Sequence, residues 1–129
     1  MYIGLDLGTS GLKGVLLNDA QGVVAEATAP LSVSRPAEGH SEQSPADWIA
    51  AAETVLDALA ARGLGAVKGI GLSGQMHGAT LLDAADNVLR PCILWNDTRA
   101  HEEAADLDGD PTFRRLTGNI VFPGFTAPK

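Results

Sequence analysis

The sequence has little cysteine, few basic residues and no long apolar run. Its single cysteine, Cys92, excludes an intrachain disulfide framework and any zinc site built from several cysteines. Cys92 follows Pro91 in a strand-like pattern, so we expect it to be a small buried hydrophobe. Nine Lys and Arg stand against sixteen Asp and Glu, and the formal net charge of -7 argues against a nucleic-acid partner.

Membrane and export signals are also missing from these residues. No apolar stretch approaches the roughly 20 residues that span a bilayer, which argues against a membrane partner. The first residues lack the basic and apolar regions of a secretory signal. The length of 129 residues corresponds to about one domain, and 45% of the residues are hydrophobic, as in ordinary globular proteins. We therefore expect one soluble, cytoplasmic α/β domain.

The first part of the chain has the alternating pattern of β-strands. Apolar side chains alternate along residues 2–7, and further strands are predicted over residues 12–18 and from residue 23 to about 33. Turn-forming residues at 8–11 and 19–22 separate them, and the glycines of these turns can take positive φ. Three short strands with tight turns predict an antiparallel meander.

A helix is predicted after a polar loop at residues 34–43. Ser44 is a typical N-cap, Pro45 suits the first helical position, and Asp47 suits the first turn. Gly63 is typical of a C-terminal cap. The apolar residues that recur at helical spacing are Trp48, Ala52, Val55, Leu56 and Leu59.

The second half is predicted to mix short strands and helices. A strand is expected over residues 67–73, and a hairpin is expected from residues 79–82 and 88–95. A charged helix is predicted from Thr98 to about Leu107. A second short helix is predicted to begin at residues 110–111 and to end before Gly118.

The turn at residues 8–11 carries groups that suit a phosphate. Backbone N–H groups in such a turn can point at an anion, Thr9 and Ser10 add hydroxyl donors, and Lys13 adds a positive charge. Asp6 could hold Mg²⁺ directly or through water. These are the parts that phosphoryl transfer needs on the nucleotide side, although the spacing is not that of a Walker A loop.

A hairpin turn that uses Gly, Ser and Thr for geometry alone is the alternative for residues 8–11. Asp6 favours the binding interpretation, because it interrupts an otherwise apolar strand. An unpaired carboxylate in such a place is costly unless a metal or hydrogen-bond donors satisfy it.

Two later segments contain groups that suit a sugar. Gln75 and His77 offer donors and acceptors for hydroxyl groups, and Met76 offers an adaptable apolar wall. The alternative is a turn bracketed by Gly74 and Gly78 that exposes a histidine.

The second of these segments begins at Trp95. The indole presents a flat face to the C–H surface of a sugar, while Asn96, Asp97 and Arg99 offer hydrogen bonds to hydroxyls. In the alternative, Trp95 belongs to the core, Asp97 or Thr98 caps the following helix, and Arg99 lies on a solvated face.

Together these segments resemble a known family. Residues 2–13 resemble the first phosphate motif of the FGGY family of carbohydrate kinases, a motif shared across that family. Residues 74–80 and 93–99 are more specific. With residues 41–43 and 117–129, they make the chain most similar to bacterial members that phosphorylate D-xylulose. The resemblance covers essentially the whole chain.

The resemblance implies the N-terminal part of an actin-like, ribonuclease H-like ATPase domain, with a mixed sheet, β-hairpins and flanking helices. Residues 1–129 would form this N-terminal sugar-kinase domain, and a second, nucleotide-binding domain would lie outside them. The implied reaction transfers the γ-phosphate of ATP to D-xylulose and gives D-xylulose 5-phosphate, with Mg²⁺ as the metal.

The resemblance also implies roles for single residues. Asp6 would bind Mg²⁺ through water. The residues implied at the γ-phosphate are Gly8, Thr9, Ser10 and Lys13. The residues implied at or near the sugar are Gln75, Met76, His77, Trp95, Asn96 and Asp97.

Members of the family are several times longer, and their general base is an aspartate that would lie beyond Lys129. None of the carboxylates here matches it, and a base must reach the hydroxyl that it deprotonates. We therefore expect the isolated chain to be inactive and the longer parent protein to be an ATP-dependent sugar kinase.

Other interpretations stay open. The parent could be a related kinase of ribulose, gluconate or glycerol, or the chain could be a non-catalytic fragment that binds a partner or forms a homodimer. A metal-dependent nuclease usually needs several carboxylates around two metals, and only Asp6 lies in a suitable strand.

Overall fold

A computed structural model describes residues 1–63, 65 and 67–129. The elements in chain order are β1 (Tyr2–Leu7), β2 (Gly11–Leu17), β3 (Val23–Pro30), β4 (Glu42–Gln43), α1 (Pro45–Ala60), β5 (Gly69–Ser73), β6 (Cys92–Ile93), α2 (His101–Gly109) and α3 (Pro111–Thr117). Within the described ranges, no helix combines the length and the apolar character that a membrane span needs.

The chain divides into two compact units. The first unit contains Met1–Ser32 and Pro45–Gln75, and the second contains Val33–Ser44 and Met76–Lys129. The division places the residues expected to bind phosphate in the first unit. Most of those expected to bind sugar fall in the second.

The first unit is built on a four-stranded sheet of order β3-β2-β1-β5. Strands β1, β2 and β3 pair antiparallel, as the meander prediction requires, and β5 runs parallel to β1. The expected mixed sheet is therefore confirmed. The third strand ends at Pro30 rather than near residue 33, consistent with the missing N–H of proline.

Helix α1 covers one face of this sheet. Val55 and Leu59 are buried as predicted, and Ala51 is buried with them, while Trp48 is only half-buried. The sheet residues of this core are Ile3, Leu5, Leu12, Leu16 and Ala29. Gly63 has a φ of 85°, as expected of a glycine that reverses the chain after a helix.

Gly14 allows the close packing of α1 on the sheet. A Cβ at this position would overlap Val55 Cγ1 and would lie 3.1 Å from Leu59 Cδ1 and 3.2 Å from Leu5 Cδ2. We expect Gly14→Ala to lower the free energy of unfolding by about 1–3 kcal/mol, because a packed core must shift to accept an added methyl group. Urea unfolding measures this change.

Gly71→Ala is the matched control for Gly14→Ala. Gly71 also lies in a strand of the same sheet, but a Cβ there would meet nothing within 4 Å. Its free energy of unfolding should stay within about 0.5 kcal/mol of the wild-type value. Equal losses in the two variants would show that strand glycine itself, rather than helix packing, sets the cost at Gly14.

The second unit contains a small antiparallel sheet. Strand β6 pairs with β4, which lies inside the segment predicted to be a loop. The predicted hairpin over residues 79–82 and 88–95 is formed only as two isolated bridges, Ala79–Ile93 and Leu82–Val88. Ile93 bridges Ala79 and also pairs with Glu42, so β6 has a partner on each side. Cys92 is 1% exposed, which confirms its prediction as a buried residue.

Helix α2 begins at His101, three positions later than predicted from Thr98. The Thr98 N–H donates to Gly39 O at 2.9 Å, which holds this residue in the loop. Ala100 is the N-cap, without a side-chain cap bond. Helix α3 follows the prediction: Asp110 accepts from Thr112 N at 2.8 Å, and Gly118 ends the helix with a φ of 67°.

Candidate active site

The β1–β2 turn (residues 8–11) is closed by its own backbone. The Gly8 N–H donates to Gly11 O at 3.0 Å, so this N–H serves the turn rather than an anion. Neither Gly8 nor Gly11 has a positive φ, so the turn does not use the conformational freedom that glycine offers there. Gly11 is required for a different reason, because a Cβ there would lie 2.8 Å from Ala29 O.

Gln75 joins the β1–β2 turn in the first unit. The Thr9 hydroxyl donates to Gln75 Oε1 at 3.3 Å, and Gln75 Nε2 donates to Gly8 O at 3.4 Å. Strands β1 and β5 are parallel neighbours, and Asp6 at the end of β1 pairs with Ser73 at the end of β5. The segments that follow the two strands therefore leave the sheet at the same end, which brings Gln75 to the turn. The structure thus brings Gln75 together with the residues expected at the phosphate.

Asp6 and Lys13 are directly opposite each other on β1 and β2. Both side chains are exposed, and Lys13 Nζ lies 3.2 Å from Glu26 Oε1. The sequence argument that Asp6 is a carboxylate buried in an apolar strand is therefore wrong. Asp6, Lys13, Glu26 and Ser73 are among the residues that line a groove of about 480 Å³ in the first unit.

The carboxylate of Asp6 suits a hydrated cation better than an enclosed metal site. Among the described residues, no group of three or more His, Cys, Asp or Glu is arranged to hold a metal. Mg²⁺ usually keeps several waters and is bound by one or two carboxylates together with substrate phosphates. An exposed carboxylate beside a turn that carries Thr9 and Ser10 fits that mode of binding.

In the second unit, Met76, His77 and Trp95 present their side chains to solvent. Met76 is 68% exposed and Trp95 is 49% exposed. This exposure excludes the alternative in which Trp95 is a core residue. His77 has a φ of 60°, and its ring stacks on Phe125 with the ring centroids 4.5 Å apart. Positive φ is uncommon outside glycine, so the surroundings must hold the backbone of His77 in place.

Asp97 is 1% exposed and lies at the centre of a polar network. Its carboxylate accepts from Ser41 N at 2.6 Å, from Arg99 N at 2.9 Å and from Arg99 Nη2 at 2.7 Å. Arg99 Nη2 also lies 2.6 Å from Glu42 Oε1. Asp97 does not cap α2, and Arg99 does not lie on a solvated face.

This network sets the ionisation of Asp97. Burial raises the pKa of its carboxyl group, but the hydrogen bonds from Arg99 and from Ser41 N outweigh burial and hold the pKa below its ordinary value. The pKa of Arg99 is raised, chiefly by its hydrogen bond to Asp97. Asp97 is therefore a fixed charge whose oxygens are already engaged by the protein.

The side-chain oxygen of Asn96 has no hydrogen-bond partner, unlike the two oxygens of Asp97. In the described part of the chain, the buried atoms Asn96 Oδ1 and Ser41 Oγ have no hydrogen-bond partner. A buried acceptor without a partner is costly unless water or a ligand supplies a donor. Asn96 Oδ1 is thus an unpartnered acceptor below the surface of the second unit, out of direct reach of a ligand hydroxyl.

Sequence reasoning missed Gly124, Phe125 and Lys129, which contact His77, Leu94 or Trp95 in the second unit. The Pro123-Gly124 pair signals a turn. No local pattern indicates that the lysine side chain points back toward the preceding backbone.

The chain is similar to known proteins along its whole length. All of residues 1–129 match the profile of the FGGY family of carbohydrate kinases, N-terminal domain. The xylulose kinases of Klebsiella pneumoniae and Escherichia coli (strain K12) are 56% and 53% identical over 131 residues, which is 100% of this chain and 27% of each relative. The chain thus spans about a quarter of the length of these relatives.

Solved structures agree with this match. A xyloylose kinase from Brucella ovis is 65% identical with a TM-score of 0.95, over 98% of this chain and 27% of that one. A gluconate kinase from Lactobacillus acidophilus is 27% identical with a TM-score of 0.81, over 89% of this chain and 23% of that one. Such kinases have the actin-like ATPase fold, as expected for this mixed sheet and its helices. The chain belongs to the FGGY family of carbohydrate kinases.

Proposed function

We propose that the protein carrying this chain is a cytoplasmic, ATP-dependent kinase that phosphorylates D-xylulose to D-xylulose 5-phosphate. The observation that carries the proposal is the 56% and 53% identity, along the whole chain, to two proteins named xylulose kinase. The exposed residues of the first unit suit the binding of the phosphate. Those of the second unit suit the binding of the sugar.

In the first unit, the β1–β2 turn would bind the transferred phosphate. Ser10 would donate a hydroxyl hydrogen bond, Thr9 would turn its single hydroxyl donor from Gln75 to the phosphate, and Lys13 would exchange Glu26 for phosphate oxygens. Gln75 would hold the turn in place through its hydrogen bond to Gly8 O. Asp6 would hold Mg²⁺ through water, and this ion would neutralise charge on the transferring phosphoryl group.

In the second unit, Met76, His77 and Trp95 would bind the sugar. Trp95 would stack on its C–H surface, His77 would bond to a hydroxyl, and Met76 would supply an apolar wall. Asn96 would lie close to the sugar without offering its Oδ1, which is buried. Asp97 would act by fixing the segment that carries Trp95 and Asn96, because its own oxygens are bonded to Ser41 and Arg99.

We place the general base outside these residues, in the remainder of the parent protein. The chain covers 27% of the xylulose kinases that it matches, so most of such a protein lies elsewhere. The isolated 129 residues should bind ligands without turning them over, whereas robust turnover by them alone would contradict this placement.

The test is a coupled assay of ADP release by the parent protein with MgATP. D-xylulose, D-ribulose, D-gluconate and glycerol are compared at several concentrations, and phosphorus NMR identifies the product. We expect kcat/KM for D-xylulose to exceed that of each competitor at least about 10-fold. A higher value for another substrate would assign the protein to that sugar. No ADP release with any of them would favour a binding role.

A further inference from the structure

Lys129 places its ammonium group among backbone carbonyls of the second unit. Lys129 Nζ donates to His77 O at 2.7 Å, to Leu94 O at 2.8 Å and to Gly124 O at 2.7 Å, and Ile93 O lies at 3.5 Å. An ammonium group has three donors, so the three short bonds satisfy it fully. The three acceptors come from three separate segments, which the lysine therefore ties together.

This arrangement differs from an ordinary surface lysine. Burial lowers the pKa of Lys129, since the charged form loses part of its hydration. Three carbonyl acceptors offset this loss, because hydrogen bonds made by a charged donor are strong. A half-buried ammonium held in this way fixes the carbonyls around it more firmly than an extended side chain in water would.

Two of these carbonyls belong to segments that carry proposed sugar contacts. His77 has a φ of 60°, so the lysine holds the carbonyl of a residue whose backbone is itself unfavourable. Leu94 directly precedes Trp95, so the Leu94 carbonyl is part of the peptide bond that joins the two residues. Lys129 thus contacts the backbone beside both side chains.

The tail segment (residues 122–129) supports the same two residues by independent contacts. Phe125 stacks on the His77 ring. Gly124 lies so close to Trp95 that a Cβ would overlap the Trp95 carbonyl oxygen. The tail therefore packs against His77 and Trp95 even apart from the lysine.

We propose that Lys129 is a positioning residue of the sugar site, which fixes the backbone at His77 and Leu94 so that the His77 and Trp95 side chains are presented in one arrangement. The inference rests on the proposed function, since it assigns the sugar contacts to these two side chains. Lys129 itself does not touch the sugar. Its loss should weaken sugar binding while leaving the binding of ATP unchanged.

The test compares Lys129→Met with Lys68→Met in the parent protein. Methionine keeps the length of the side chain and removes all three donors. Lys68 is a half-exposed lysine of the first unit that pairs with Asp19 at 2.7 Å. We expect Lys129→Met to raise KM for D-xylulose at least about 10-fold, with kcat within about threefold and KM for ATP within about twofold. Lys68→Met should change none of these constants.

A second variant covers the case in which Lys129→Met does not fold. Gly124→Ala keeps the lysine but forces Gly124, whose carbonyl accepts from Lys129, away from the Trp95 carbonyl, so it should also raise KM for the sugar selectively. Equal rises in both KM values, or an unchanged KM for the sugar in either folded variant, would overturn the proposal.

A readout without turnover separates this inference from the proposed function. Nuclear magnetic resonance of the His77 ring and the Trp95 indole should show shifted or broadened signals in Lys129→Met and wild-type signals in Lys68→Met. Inactivity of the wild-type protein on D-xylulose would refute the proposed function, whereas these signals would still report on the lysine. Unchanged signals would refute its positioning role.

Discussion

Replacing Asp6 by asparagine is expected to lower kcat for sugar phosphorylation by about a thousandfold, or roughly 4 kcal/mol of transition-state stabilisation. Asp6 is an exposed carboxylate at the end of β1, beside the β1–β2 turn and opposite Lys13. Asparagine preserves the shape of the side chain but removes the charge that would hold a hydrated Mg²⁺. Coupled ADP assays over a range of Mg²⁺ concentrations measure the change.

Stability separates this effect from damage to the fold. Because the Asp6 side chain is exposed, the midpoint of urea unfolding should not change measurably in Asp6→Asn. Asp57→Asn, which neutralises an exposed aspartate on α1, is the matched control and should retain wild-type kcat. A kcat for Asp6→Asn within about threefold of wild type would contradict the role proposed for Asp6.

Local sequence signals predicted the parts of the fold that local interactions form. The β1–β2–β3 meander has tight turns and alternating residues, and α3 begins at Asp110 and ends at Gly118 as its cap residues indicate. The pairing of β6 with β4 could not be predicted in this way, because it joins residues about 50 positions apart that carry no periodic signal.

The candidate site shows the same division between local and distant information. The motif that contains Thr9 and the exposed Met76 and Trp95 could be identified from short segments. The hydrogen bond between Gln75 and the β1–β2 turn could not be identified in this way, because it depends on the parallel pairing of β1 with β5. The carbonyl contacts of Lys129 likewise depend on segments that meet only in the folded chain.

Asp97 illustrates why the local sequence alone misleads about polar residues. Aspartate is a preferred N-cap residue, and its position before a predicted helix favours that role. In the structure, Arg99 turns back onto this carboxylate, and Glu42 from β4 completes the charge balance. Such a network depends on which polar groups meet in the folded chain. Their pairing cannot be inferred from the local sequence.

Removing this carboxylate should give the largest loss of stability. We expect Asp97→Ala to lower the free energy of unfolding by about 3–5 kcal/mol, because it leaves Arg99 and the Ser41 N–H without their main acceptor. The contact between Arg99 and Glu42 remains, which favours the lower end of this range. Urea unfolding at pH 7 measures the loss.

The pH dependence of this loss follows from the lowered pKa of Asp97. A carboxyl group whose pKa is lower in the folded state contributes its full stabilisation above its unfolded pKa, near 3.8, and loses it as the pH falls through its folded pKa. The difference in free energy of unfolding between wild type and Asp97→Ala should therefore be constant above about pH 5 and shrink below about pH 4.

Asp19→Ala is the control variant. It removes an exposed partner of Lys68 and should change the free energy of unfolding little, because water screens that pair. Similar losses in the two variants, or a difference that does not shrink in acid, would show that the ionised network does not stabilise the second unit.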